Sequence, residues 1–188
     1  MNVYEKLPTF ESANFILRGV QIEDAQDLLK VYSDEKAVLF FNGDNCHGDD
    51  FHYTTLERMK EAISFWLFSY DNGYFVRWAI VCKLTGEAIG TIELFHRDDT
   101  VEDYDNCGLL RLDLRSDFEK TDVISELLLI IAQLTFELFG DKVVTKVKSN
   151  ATERLAAIRG IGFSLPKIGL NGNQGEVFDD YYVLRKPN

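Results

Sequence analysis

The sequence predicts a mixed α/β domain with a mostly antiparallel central sheet and flanking helices. Three observations carry this. Between Val76 and Leu114, three strand-like segments follow one another through short polar turns. From about Thr121 to Phe139 runs a helical pattern too apolar for a surface helix. Strand, helix and two further strands then close the chain. A meander followed by a covered helix implies helices layered on a sheet.

The elements follow in order. Phe15 to Val20 is the first strand. Glu23 and Asp24 sit in the first turn of the next segment, where acids complement a helix dipole. Ala25, Leu28, Leu29 and Tyr32 then fall on one helical face. Asn42 to His52 is polar and glycine-bearing, a loop. Leu56, Met59, Ile63, Trp66, Leu67 and Tyr70 mark a second amphipathic helix, ended by Asp71-Asn72-Gly73. In the strand from Val76 to Lys83, Val76, Trp78, Ile80 and Cys82 alternate with Arg77, Ala79, Val81 and Lys83. Leu84 to Glu87 turns the chain, and Ala88 to His96 returns as the hairpin partner. Gly108 to Leu114 is the third strand of the meander.

In the helix from Thr121, Glu126, Gln133 and Glu137 form a narrow polar stripe, so most of its surface is expected to be covered. Gly140 ends it. Val143 to Lys148 is a strand, and Ala151 to Arg159 a helix closed by Gly160. Phe163 to Leu165 and Val177 to Leu184 are the last strands, around a glycine-rich turn from Gly169 to Gly175.

Length and composition narrow the classes. The 188 residues, 46% hydrophobic, form one domain, residues 1–188, with a substantial core. A net charge of −11, from 20 basic and 31 acidic residues, argues against nucleic-acid and anionic-membrane partners. Cys46, Cys82 and Cys107 are widely spaced and odd in number, which implies no disulfide framework and a reducing compartment. The first residues lack the basic and apolar regions of a signal peptide. The expectation is a soluble cytoplasmic protein. Oligomeric state is open.

Cys46, His47, Asp49, Asp50 and His52 form a cluster whose spacing matches no standard zinc pattern, so it reads as a polar loop and no metal is expected. Trp66, Phe68, Tyr70, Tyr74 and Trp78 either line an apolar pocket or belong to the core. The entrance to the long helix carries Glu119, Lys120, Thr121 and Asp122. A helix N-terminus at a sheet edge commonly binds a phosphate, but this one has two acids and no glycine.

Several segments together carry a resemblance. FILRGVQIEDAQDLLKVYSD, WAIVCKLTGEAIGTIEL, GLLRLDL followed by RSDFEKTDVISELL, SNATERLAAIRGIGF and the closing DDYYVL occur in this order across nearly the whole chain. In sequence and order they resemble the GNAT acetyltransferase superfamily, and more closely its branch of ribosomal-protein N-terminal acetyltransferases. The resemblance implies a GNAT fold and an acyltransferase that moves an acetyl group from acetyl-CoA to an amine, on a small molecule or a protein N-terminus. The alternative is a GNAT-fold protein that binds a ligand or partner and has lost acetyl transfer.

The resemblance also implies site residues. The cofactor strand is Gly108 to Leu114, with Leu112, Asp113 and Leu114 beside the pantetheine arm and a backbone N–H stabilising the oxyanion. Glu93 and Asp113 are the implied catalytic bases; read from pattern alone they are the polar-outward phase of a half-exposed sheet. The cofactor loop spans Glu119, Lys120, Thr121, Asp122, Val123 and Ile124. Glu119, Asp122 and Ile124 stand where the family motif has Gln or Arg, Gly, and a small residue.

Asp122 crowds the anion site and adds negative charge, a repulsion of roughly 3 kcal/mol at about 5 Å in an effective dielectric near 20. Lys120 and Arg115 offset it in part. Alternatively, Asp122 caps the helix with Glu126 one turn on. Asn150 matches a family asparagine that contacts the cofactor, or initiates the following helix. The family's tyrosine proton donor falls here at Ile158.

Overall fold

The computed structural model describes residues 2–187. The elements run β1 (Phe10–Glu11), β2 (Phe15–Gly19), α1 (Ala25–Tyr32), α2 (Leu56–Asp71), β3 (Val76–Cys82), β4 (Ala88–Arg97), β5 (Cys107–Leu114), α3 (Thr121–Leu138), β6 (Lys142–Lys146), α4 (Thr152–Ile161), β7 (Leu170–Asn171), β8 (Val177–Phe178) and β9 (Tyr181–Arg185). One sheet has the order β1-β2-β3-β4-β5-β6-β9, and β7 and β8 form a small hairpin. All neighbours in the large sheet are antiparallel except β5 and β6. This is the mixed α/β architecture expected of a GNAT fold.

Helices cover both faces. On one, Leu110, Leu112 and Leu114 of β5 pack with Ile124, Leu127, Leu128 and Ile131 of α3 and with Leu155 and Ile158 of α4. Each fully buried Leu or Ile there contributes about 1.5–3 kcal/mol of transfer free energy. On the other, Leu28 and Tyr32 of α1 pack with Met59, Ile63 and Trp66 of α2 over Ala79 and Ala88. All seven residues of β3 are therefore buried. Glu93 is 2% exposed and Asp113 3%. The polar-outward reading of these two acids fails because α1 and α2 cover the face they point to.

Local boundaries differ in several places. α4 runs through Gly160 and ends at Ile161, capped by Gly162 at φ 106°. A left-handed cap needs that glycine, whereas Gly160 stays helical. The last strand divides into β8 and β9 because the pieces take different partners: Phe178 pairs with Leu170, and Tyr181 to Arg185 pair with β6. The segment from Phe163 to Leu165 contributes only a bridge, from Ser164 to Val183.

The parallel pairing that positions the site is short. Cys107 to Leu110 pair with Lys142 to Thr145, and β5 then continues to Leu114 with no strand on that side. Where β6 leaves β5, the sheet splays. No helix among the described residues is long and apolar enough to cross a membrane.

Gly140 lets α3 return to the sheet. It sits at φ 137°, and a Cβ there would run into the backbone of Asn106. Gly140→Ala is expected to destabilise the fold by roughly 2–4 kcal/mol, from backbone strain plus overpacking. Urea unfolding checks this; a loss under about 1 kcal/mol would show that the turn relaxes freely.

Candidate active site

The splay is filled by the chain's own cations. Arg154 of α4 is 4% exposed. Its Nη1 donates to the carbonyl of Leu112 at 2.9 Å and to that of Phe40 at 3.2 Å. Its Nε lies 3.1 Å from both Glu119 carboxylate oxygens, and Nη2 completes the ion pair. Lys148 Nζ donates to the Leu39 carbonyl at 2.7 Å, and Lys146 Nζ pairs with Asp44 at 2.6 Å. The connection between α1 and α2 is thus fastened across the open side of β5.

The entrance to α3 holds an anion of its own. Thr121 N–H donates to the Glu153 carboxylate at 2.8 Å, and Thr121 Oγ1 bonds the same oxygen. The hydrogen bonds from Thr121, side chain first and then backbone, hold the Glu153 carboxyl below its usual range. Asp122 is not the cap. The helix begins at Thr121 with Lys120 as the cap position, and Asp122 Oδ1 accepts only from the next N–H, of Val123, at 2.9 Å. Glu126 instead clamps Asn14, accepting from its backbone N at 3.0 Å and its Nδ2 at 2.8 Å.

On the opposite face lies a buried ionic network. Arg77 is ion-paired with Glu93 and with Asp113, the latter at 3.2 Å. Arg111 Nη1 pairs with the other Glu93 oxygen at 2.6 Å. Tyr32 Oη donates to Asp113 at 2.7 Å and contacts Thr91 Oγ1 at 2.8 Å. Burial pushes the Glu93 carboxyl up, but the guanidiniums of Arg77 and Arg111 outweigh it and hold the group below its usual range. Burial wins at Asp113, whose pKa is raised against the pull of Arg77 and the Tyr32 hydrogen bond. The two carboxyls are thus shifted in opposite directions.

A cavity of about 720 Å³ opens beside this network. Its walls include Tyr53, Phe65, Trp66, Tyr74, Phe75 and Phe95, with Arg58, Arg77, Arg97 and Arg111. Of the aromatic residues expected at a pocket, Trp66 and Tyr74 line it. Trp78 lies in the core of the other face, Tyr70 packs against that core, and Phe68 is 55% exposed. In the polar loop, Asp49 bonds Tyr53 Oη at 2.8 Å and Arg58 at 3.0 Å, while Cys46 is half-buried.

The expected site residues thus divide into three groups. Leu112, Leu114 and Ile124 are buried between β5, α3 and α4, while Glu119, Lys120, Thr121, Asp122 and Val123 form the entrance. Asn150 is exposed in the turn before α4. Glu93 and Asp113 face the other layer. Sequence reasoning missed Arg154 and Glu153. Arg154 lies four residues before buried Ile158, on the apolar face of α4, and that spacing was the available signal.

Arg154→Leu leaves the Glu119 carboxylate unpaired and two carbonyls without their donor. Breaking a buried pair from one side costs about 3–5 kcal/mol, and Arg154→Leu with Glu119→Leu is expected to recover a large part. Urea midpoints of the single and double variants test this. A single variant as stable as the parent would remove Arg154 as the closure of the splay.

The sequence profile of the acetyltransferase (GNAT) domain matches residues 14–164. No curated protein matches. Among solved structures, RimL, a ribosomal-protein alpha-N-acetyltransferase in complex with coenzyme A, superposes with a TM-score of 0.69 at 14% identity, covering 95% of this chain and 98% of that one. An acetyltransferase of Salmonella typhimurium that modifies the N-terminal serine of a 50S ribosomal subunit protein gives 0.65 at 17%, covering 94% and 97%. A GNAT-family acetyltransferase of Bacillus anthracis gives 0.65 at 10%, covering 95% and 98%. At these identities the structures speak to the fold; the profile spans most of the sequence, and the chain belongs to the GNAT acetyltransferase family.

Proposed function

We propose that this chain moves an acetyl group from acetyl-CoA to a primary amine, on a small molecule or at a peptide N-terminus. The observation that carries the reading is the unpaired segment of β5 ending beside the N-terminus of a buried helix that already binds a carboxylate. The Glu153 carboxylate stands in for a phosphate there, so the donor chemistry of the entrance suits an anion. The Thr121 N–H, Lys120, Arg115 and a released Arg154 would hold the phosphates. The family match supports transfer over a binding-only role.

Acetyl-CoA supplies the activated thioester carbon. The N–H and C=O of one strand residue point the same way, so the Leu112 N–H faces the splay with its carbonyl and is the donor aimed at a developing oxyanion. Glu93 reaches the cavity wall with both oxygens committed to guanidiniums, and Asp113 lies buried behind it with Oδ2 held by Tyr32 and Arg77, so both act as positioning residues for the arginines of the wall. Asp113→Asn loosens Arg77 and is expected to raise KM for the amine by about tenfold with a smaller change in kcat. A fall in kcat of about 10²–10⁴ with KM unchanged would instead make Asp113 the base.

Acetyl-CoA at a hundredfold excess over its Kd is expected to stabilise the fold by about 2.7 kcal/mol in thermal unfolding. No shift at millimolar cofactor would sink the proposal. Glu153→Ala removes the internal competitor and is expected to tighten acetyl-CoA binding several-fold, read by calorimetric titration. Weaker binding in that variant would show that Glu153 supports the seat.

A further inference from the structure

The cavity beside the ionic network has an unbalanced inventory of polar groups. Two acids line it, and both are paired with arginines of the same wall. Glu93 accepts from Arg77 and Arg111. Asp49 accepts from the Phe51 N–H on one oxygen, and from Tyr53 and Arg58 on the other. Each of these four carboxylate oxygens already accepts from a donor of the protein. The spare groups are donors: among the described residues, the buried side-chain atoms without a partner are Nε of Arg77, Arg97 and Arg111, all three from residues of the cavity wall. A buried N–H without an acceptor is unfavourable and gains from any acceptor that reaches it.

Much of the rest of the wall is aromatic, with Asn45, His47 and Asn173 among its polar members. Arg77 stacks 4.1 Å over the Trp66 ring and Arg111 5.4 Å over Phe95. The complement of such a surface is an apolar or aromatic body carrying an acceptor-only group, and a carboxylate matches guanidinium forks best. Position adds a second argument. Arg111 is the first residue of β5 beyond Leu110, the last one paired with β6. A ligand anchored on Arg111 therefore sits where the sheet splays, on the face opposite α3.

We propose that this cavity binds the acyl acceptor through a carboxylate, so that the substrate class is an amine that also bears a carboxylate on an apolar or aromatic body, held by Arg97 and Arg111. This rests on the transferase reading and names the acceptor for the same site. An amino acid or its analogue has this form; a simple alkylamine or polyamine does not.

Trp66 lines the cavity while Trp78 is buried on the opposite face, so tryptophan fluorescence reports occupancy. Phenylacetate, L-phenylalanine and phenethylamine separate the carboxylate from the amine. Phenylacetate and L-phenylalanine are expected to shift the fluorescence saturably, with phenethylamine at least about tenfold weaker. Arg97→Gln and Arg111→Gln, each checked for a native melting transition, are expected to weaken phenylacetate binding at least about tenfold. If one variant fails to fold, the other decides.

Phenethylamine binding as tightly as phenylacetate would overturn the proposal, as would no acid binding by about 10 mM. Binding is read without acetyl-CoA, so failure of the transferase reading leaves this result intact. Acetylation of phenethylamine in preference to L-phenylalanine would keep that reading and overturn this one.

Discussion

The guanidinium of Arg154 touches every part of the splay. It joins α4 to the Leu112 carbonyl of β5, to the Phe40 carbonyl of the connection between α1 and α2, and to Glu119 at the entrance of α3. A sheet that opens between two parallel strands exposes backbone groups that must find partners. In this chain a side chain supplies them. The same contact that satisfies the strand makes the acidic entrance tolerable, because Glu119 faces a buried cation instead of an unpaired helix start.

The sheet divides two kinds of chemistry. Toward α3 and α4 the residues of β5 are Leu110, Leu112 and Leu114, and burial alone stabilises the layer. Toward α1 and α2 they are Leu109, Arg111 and Asp113, and the layer holds a network of buried charges. Such a network is weak evidence for stability, since replacing it with apolar residues is often neutral. It does set the direction of hydrogen bonds at the cavity. Arg77 and Arg111 engage both Glu93 oxygens, while the Nε groups of Arg77, Arg97 and Arg111 stay without an acceptor.

The entrance to α3 keeps an anion at a helix N-terminus although its own residues are acidic. The helix dipole and the free N–H groups of a first turn remain whatever the side chains are. In this chain they are met by Glu153, from a helix distant in sequence. Under the proposed function, cofactor binding is an exchange of one anion for another, and its apparent affinity depends on the fraction of molecules with Glu153 displaced.

Much was legible in the chain. The order of elements and the covered central helix follow from hydrophobic period and turn chemistry, which are local. The family followed from ordered motifs, and the departures at Glu119, Asp122 and Ile124 could be named one by one. Their consequences could not be read. Asp122 looked like a cap because Asp is a good cap residue, yet the cap came from Glu153, thirty-two positions from Thr121. Glu93 and Asp113 looked exposed because alternation in a strand is the same whether its second face meets water or a helix. Sequence period determines which residues share a face; only tertiary packing decides what covers that face, and therefore which acids are paired, which donors are spare, and what the cavity can hold.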